Sequence, residues 1–221
     1  MALILALDAA LAGCSAALVE GDRVLAARAA LGERGHAALL PPMAEAVLRE
    51  AGLAAPGLDA VAAVVGPGGF TGIRAALALA EGLALGAGRP AIGVTTGEAL
   101  AAALPPGPRA VWSVIDNRRG RVMLERFPPG SLQVEGPPEV VAEADLPRPG
   151  GPVALAGDAA PGVAARLAAR GLDALLSDSR LPSAIAAARV AALRLAGALP
   201  PLPARPLYGE PPAVRRPGRP G

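Results

Sequence analysis

The chain contains no lysine; all 21 of its basic residues are arginine. That absence excludes a P-loop Gly-Lys-Ser/Thr, Schiff-base chemistry and any lysine general base. Cys14 is the single cysteine, so disulfides within the chain and multi-cysteine zinc sites are excluded, and the expected role of Cys14 is a small buried apolar residue. His36 is the single histidine, so no HExxH or other paired-histidine metal site can be built. Apolar runs are interrupted by Gly, Arg or Glu before the roughly 18–20 residues that a membrane span needs, and no membrane association is expected. The first residues lack a basic n-region and a cleavage site, and a cytoplasmic protein is expected. A net charge of +2 is mild, and much of the excess sits in Arg215, Arg216 and Arg219 near the C-terminus. A basic tail there reads either as a nucleic-acid patch or as a solvated tail.

What the chain does have is a dense glycine turn. Gly66-Pro67-Gly68-Gly69-Phe70-Thr71-Gly72-Ile73-Arg74 follows the apolar run 61–65 and precedes an Ala/Leu segment. Strand, Gly-rich turn and helix N-terminus together describe an anion cradle, and they equally describe a plain tight turn. Thr71 is expected to cap the helix that follows, over 71–85. A helix so rich in alanine packs its backbone closely against a neighbour, within the chain or in a partner.

Before this turn, apolar runs at 3–7, 14–19 and 24–30 read as strands, with a hairpin turn at Gly21-Asp22. Leu39, Leu40, Met43, Val47 and Leu48 fall at helical spacing over 36–50. Pro41-Pro42 disturbs that pattern, so the helix either starts near Pro41 or has a kinked first turn. Strands follow at 59–65 and 91–94, and Thr95 with Glu98 resembles a capping box. After a linker at 104–108, a strand over 111–115 ends in Asp116, and another occupies 121–127. Strand, terminal aspartate and hairpin thus recur, a weak internal repeat. Later elements are a loop over 128–138, a strand at 153–156, helices over 161–169 and 183–199, and an extended run over 204–208. The division expected is 1–105, 106–200 and a Pro/Arg-rich tail, 201–221.

Candidate chemistry is sparse. Asp8, Asp116 and Asp158 each follow a short apolar run, where a two-lobed fold holds a Mg²⁺-nucleotide; they also read as turn or cap residues. Asp8 is followed by Ala9, Ala10, Leu11 and Ala12, which offer no hydroxyl to a phosphate. The turn has neither a P-loop lysine nor the spacing of a dinucleotide-binding turn. The residues alone describe a fold of nucleotide-binding ancestry with an impoverished site.

The segment 66–74 closely resembles the GPGSFTGLR signature of TsaB (YeaZ-like) proteins. The resemblance extends through Leu5-Ala6-Leu7-Asp8, Cys14 to Leu18, His36 with Leu40, Pro42 and Met43, Ile92 to Thr96, Ile115-Asp116-Asn117-Arg118-Arg119-Gly120, and Arg205-Pro206-Leu207-Tyr208. It implies an α/β fold of two ribonuclease-H-like lobes, of the actin/Hsp70/sugar-kinase type, with mixed sheets flanked by helices. It implies a non-catalytic scaffold subunit for N6-threonylcarbamoyladenosine formation at tRNA position 37, paired with a TsaD-like catalytic subunit and bound by a TsaE-like ATPase. TsaD carries a two-histidine metal motif that a chain with one histidine does not reproduce.

The partner contact expected is a helix bundle formed by 36–50 and 71–85, with His36, Leu39, Leu40, Met43, Val47, Ile73, Arg74, Leu77 and Ala80 in it. The same face would make a homodimer when the partner is absent. tRNA contact is expected only indirectly. Asp8, Gly68, Gly69, Thr71 and Asp116 mark a vestigial nucleotide site. Ala9 and Gly69 stand where the family usually has Thr and Ser, which removes two hydroxyls from phosphate-facing loops. No cofactor or metal is expected, with nucleotide only at the interface of a complex. The rival reading is a nucleotide-binding phosphotransferase or ATPase of the same fold, using Asp8, Asp116 and Gly68.

Overall fold

The computed structural model describes residues 1–117 and 120–207. Arg118, Arg119 and the tail from Tyr208 onward, which figure in the expectations above, lie outside the described residues. Strands β1 (Leu3–Asp8), β2 (Gly13–Glu20) and β3 (Arg23–Leu31) form an antiparallel meander. Gly21, at φ 57°, turns the β2–β3 hairpin. Strands β4 (Ala60–Gly66) and β5 (Ala91–Thr95) add in parallel beside β1, giving the order β3-β2-β1-β4-β5. The apolar runs of β1, β2 and β4 are buried almost without interruption, as strands covered on both faces must be.

Helices α1 (His36–Glu50) and α2 (Phe70–Ala87) cover one face of this sheet. The prolines do not delay α1: Pro41 and Pro42 lie inside it on its exposed side. The carbonyls that lose an N–H partner there belong to Ala37 and Ala38, both exposed and so open to solvent. α2 begins at Gly69 with no side-chain cap, so the expectation that Thr71 caps it is corrected; Thr71 sits exposed within the first turn. Among the described residues α2 is the one helix long and apolar enough to cross a membrane, yet its Gly72, Ile73, Ala76, Leu77, Ala80 and Ala84 are buried in the fold.

Helix α3 (Thr96–Ala101) opens on the expected capping box: the Glu98 N–H donates to Thr95 Oγ1 at 3.0 Å and the Thr95 N–H to Glu98 Oε2 at 2.7 Å. A second sheet follows. β6 (Ala110–Asp116), β7 (Arg121–Phe127) and β8 (Glu139–Ala142) are antiparallel, and β9 (Val153–Ala156) and β10 (Ala174–Leu176) join in parallel, in the order β8-β7-β6-β9-β10. This is the topology of the first sheet strand for strand, so the weak repeat in the sequence is a repeat of architecture. Helix α4 (Ala160–Ala169) links β9 to β10 as α2 links β4 to β5. Gly66 and Gly157 end the corresponding strands with nearly the same φ, 111° and 108°. One part does not repeat. Where α1 stands in the first half, the second has a single 3₁₀ turn at Glu143–Asp145.

Helix α5 (Ala184–Leu195) starts at Ser183, whose Oγ accepts from the Ala186 N–H at 3.2 Å. Sequence order places it in the second lobe. It packs instead on β1, β2, β4 and β5, across the first sheet from α1 and α2, and its buried alanines allow close approach to those strands. The Ala184 N–H donates to Ser15 Oγ on β2 at 2.9 Å. The chain then runs beside the first sheet. The Gly93 N–H donates to Leu202 and the Leu207 N–H to Val65, both at 2.8 Å, bringing Leu207 to the Gly66–Pro67 turn. Two strands escape the sequence pattern. β8 lies between proline-rich loops, and β10 has three residues, with Leu175 and Leu176 exposed.

Candidate functional site

The Gly-rich turn closes onto the β1–β2 loop. The Gly69 N–H donates to the Ala10 carbonyl at 2.7 Å. A Cβ on Gly68 would collide with that same carbonyl, and a Cβ on Gly72 with the carbonyl of Ala9. These two glycines therefore serve close backbone contact. On its other side the turn is held by the Thr96 hydroxyl, which donates to the Pro67 carbonyl at 2.6 Å across a cis Gly66–Pro67 bond. His36 completes the bracket. Its Nε2–H donates to the Gly32 carbonyl at 2.7 Å, while Nδ1 lies 3.2 Å from where a Gly72 Cβ would stand.

Asp8, at the end of β1, is 2% exposed, and its Oδ1 accepts from the Ala10 N–H at 3.0 Å. This bond shapes the loop that meets the glycines. Burial pushes the Asp8 carboxyl up to about 7, against the opposing Ala10 bond. Cys14 is buried as expected; burial first, then the neighbouring Asp8, push its thiol up. Asp116 ends β6 as Asp8 ends β1, and its backbone N–H donates to Asp158 Oδ1 at 2.9 Å. Burial, and then the charge of Asp116, raise Asp158 against the backbone bonds it accepts. Asp8 with Gly68 and Gly69, and Asp116 with Asp158, thus form two small groups at matching strand ends. Leu11, from the β1–β2 loop, bridges them by packing with Leu100, Ile115, Met123 and Ala156. A cleft of about 860 Å³ lies elsewhere, lined by residues including Leu104, Pro105, Leu132, Leu175 and Arg189; none of Asp8, Gly68, Gly69, Thr71 or Asp116 lines it. No group of three or more His, Cys, Asp or Glu suited to a metal ion occurs among the described residues.

The helix pair divides the expected contact residues. Leu40, Val47, Ile73, Leu77 and Ala80 are buried against the first sheet, none more than 4% exposed, and His36 is 8% exposed. These six hold the helices in place and are corrected from outward anchors to core. Helical periodicity finds an apolar face, and for these positions that face is the inner one. The outward surface carries Leu39 at 41% exposed, half-buried Met43, and Arg74, whose guanidinium sits 3.8 Å from the centre of the Phe70 ring. Phe70 itself is 55% exposed and was missed by sequence reasoning. The available signal was its place among the glycines of a tight turn, which leaves a large ring no interior to enter. Pro41, Pro42 and Leu85 extend the exposed apolar surface along both helices.

Two sheets of one topology, with helices packed on their faces, define a protein of the actin/Hsp70/sugar-kinase-like fold. A family model described as TsaD, tRNA N6-adenosine threonylcarbamoyltransferase, matches residues 30–136. The tRNA threonylcarbamoyladenosine biosynthesis protein TsaB of Escherichia coli is 40% identical over 126 residues, covering 56% of this chain and 54% of that protein. An uncharacterized protein of Mycobacterium tuberculosis is 36% identical over 159 residues, covering 70% and 71%. Among solved structures, YeaZ from Pseudomonas aeruginosa superposes with a TM-score of 0.78 at 29% identity, covering 94% of this chain and all of that one. The chain belongs to the TsaB/YeaZ-like family. Its matches span about half the length of the curated TsaB relatives, 54% for E. coli and 42% for Haemophilus influenzae.

Proposed function

We propose that this chain is a non-catalytic accessory subunit in the formation of N6-threonylcarbamoyladenosine on tRNA, and that it works by supporting a TsaD-like catalytic subunit. The observation that carries the reading is the closed Gly-rich turn. Its Gly69 N–H is bonded to Ala10, and Gly68 and Gly72 stand against the carbonyls of Ala10 and Ala9, where a phosphate would need open donors. Asp8 supports it, being buried and engaged with its own loop. So do the names of the relatives, two of them TsaB proteins of the threonylcarbamoyladenosine pathway.

The turn acts as a spacer. It sets α2 against the β1–β2 loop and leaves the outer surfaces of α1 and α2 for a partner. Leu39, Met43, Phe70 and Arg74 are its contact residues. A TsaD-like subunit docks there, two copies of this chain use the same face when alone, and a TsaE-like ATPase binds the assembled pair. Nucleotide enters only at the interface of that complex, and tRNA is contacted through the catalytic subunit, in the cytoplasm.

The docking is tested by measuring the mass of the mixed subunits by light scattering, with wild type and with Leu39→Glu. Wild type should form a heterodimer, and the variant should stay folded yet fail to pair. A variant that pairs as wild type does would remove α1 from the contact. Calorimetry with Mg-ATP on the isolated chain separates this reading from the phosphotransferase one, which requires tight stoichiometric binding where the accessory reading expects little heat.

A further inference from the structure

The junction between the two sheets holds charged side chains that neither the Gly-rich turn nor the helix pair uses. Glu125, on β7, is 2% exposed. Its Oε2 accepts from the Gly97 N–H at the start of α3, at 2.9 Å, and the Thr95 side chain hydrogen-bonds to it. Glu98, on α3, is 3% exposed and accepts from Arg194 of α5 through Oε1 at 2.5 Å. The Arg194 side chain is 6% exposed. Two carboxyls therefore lie near one guanidinium in a buried junction, and Glu98 holds it. Glu125 Oε1, Arg194 Nη1 and Ser113 Oγ have no hydrogen-bond partner among the described residues. Ser113 lies directly across from Glu125 on β6. Gly97 is the residue that permits the contact, because a Cβ there would strike the Glu125 carboxyl.

We propose that Glu125 is a proton-operated latch between the two sheets, its carboxyl holding β7 against the start of α3 when protonated and releasing it when ionised. An ionised Glu125 keeps one oxygen buried without a donor, beside a second carboxylate. Protonated, that oxygen no longer carries charge into the buried junction, and the bond from Gly97 to the other oxygen remains. The groups that face it are Glu98 and Gly97 on α3, Thr95 before it, Arg194 on α5 and Ser113 on β6. Burial, the largest influence, and the charge of Glu98 push Glu125 up to about 7, against Thr95, Gly97 and Arg194. The closed state thus binds the proton more tightly than an open one at the ordinary 4.5. Closure is fully favoured below the ordinary value and weakens as pH rises toward about 7.

Hydrogen exchange followed by mass spectrometry on the full chain tests this, with rates corrected for intrinsic exchange. Protection over residues 95–101 and 121–127 should fall about tenfold or more between about pH 5 and pH 8, and by more than over residues 160–169. Glu125→Gln keeps an acceptor for Gly97 and cannot ionise, so these two segments should lose less protection than in wild type, and no more than residues 160–169 lose. A flat wild-type profile, a fall shared equally by 160–169, or a Gln variant with the wild-type profile would each overturn the latch. Should the Gln variant not fold, Asp8→Asn decides: the local fall must survive the loss of that other raised carboxyl, and its disappearance would assign the effect to Asp8.

Discussion

Alanine at Gly72 should destabilise the protein, although alanine at a helix-interior glycine ordinarily does the opposite. Gly72 and Gly82 both lie within α2. Nothing stands within 4 Å of a Cβ on Gly82, so Gly82→Ala gains the ordinary helix propensity of about 1 kcal/mol. A Cβ on Gly72 meets the Ala9 carbonyl, and His36 Nδ1 lies 3.2 Å away. Neither neighbour yields easily. The Ala9 carbonyl belongs to a loop fixed by the bond from Ala10 to Asp8, and His36 is tied to Gly32. Overpacking of this kind costs about 1–3 kcal/mol, and the strain falls on backbone, so the upper half of that range applies, less the propensity gain. At about 2–4 °C per kcal/mol for a chain of this size, Gly82→Ala should raise Tm by roughly 2–4 °C and Gly72→Ala should lower it by roughly 2–8 °C. Calorimetric melting of the two variants side by side decides it. Equal stabilisation by both would refute the claim that the turn's glycines exist for close backbone contact.

Stability should decline on raising the pH from about 5 to 8. The folded values of Asp8 and Glu125, each about 7, lie above the unfolded 3.8 and 4.5, so each contribution is complete below its unfolded value and lost by about 7. At 1.36 kcal/mol per unit, each is on the order of 3–4 kcal/mol, and urea midpoints that rise with pH would contradict this. Arg194→Ala strands Glu98 in the junction and should cost about 3–5 kcal/mol in urea unfolding, with a loss under 1 kcal/mol counting against a buried pair. Leu77→Glu should unfold the chain, at a cost of at least about 4 kcal/mol, because Leu77 is core; a native circular dichroism melt would restore it to the surface.

Much of this fold is legible in the sequence because its first half is built from long, strongly patterned elements. The strand ending at Asp8, the 36–50 periodicity and the Gly-rich turn each carry their signal within a few residues. α5 is legible as a helix, but its place is not. Helical spacing says that one face is apolar and is silent on which sheet covers it, and here the chain returns from the second sheet to the first. The same silence explains Leu40, Val47, Ile73, Leu77 and Ala80, where periodicity identifies the buried face, and it leaves the exposed ring of Phe70 to be found from the structure. The Glu98–Arg194 pair joins residues 96 positions apart, a separation at which local pattern carries no information.

The most direct test of the central claim is reconstituted tRNA modification. A TsaD-like catalytic subunit, a TsaE-like ATPase, threonylcarbamoyl-adenylate and unmodified tRNA are combined with or without this chain, and modified adenosine is counted. The accessory-subunit account predicts that modification requires the chain, falls to background with Leu39→Glu, and survives Asp8→Asn. Full modification without the chain, or loss with Asp8→Asn while the complex still assembles, would contradict it.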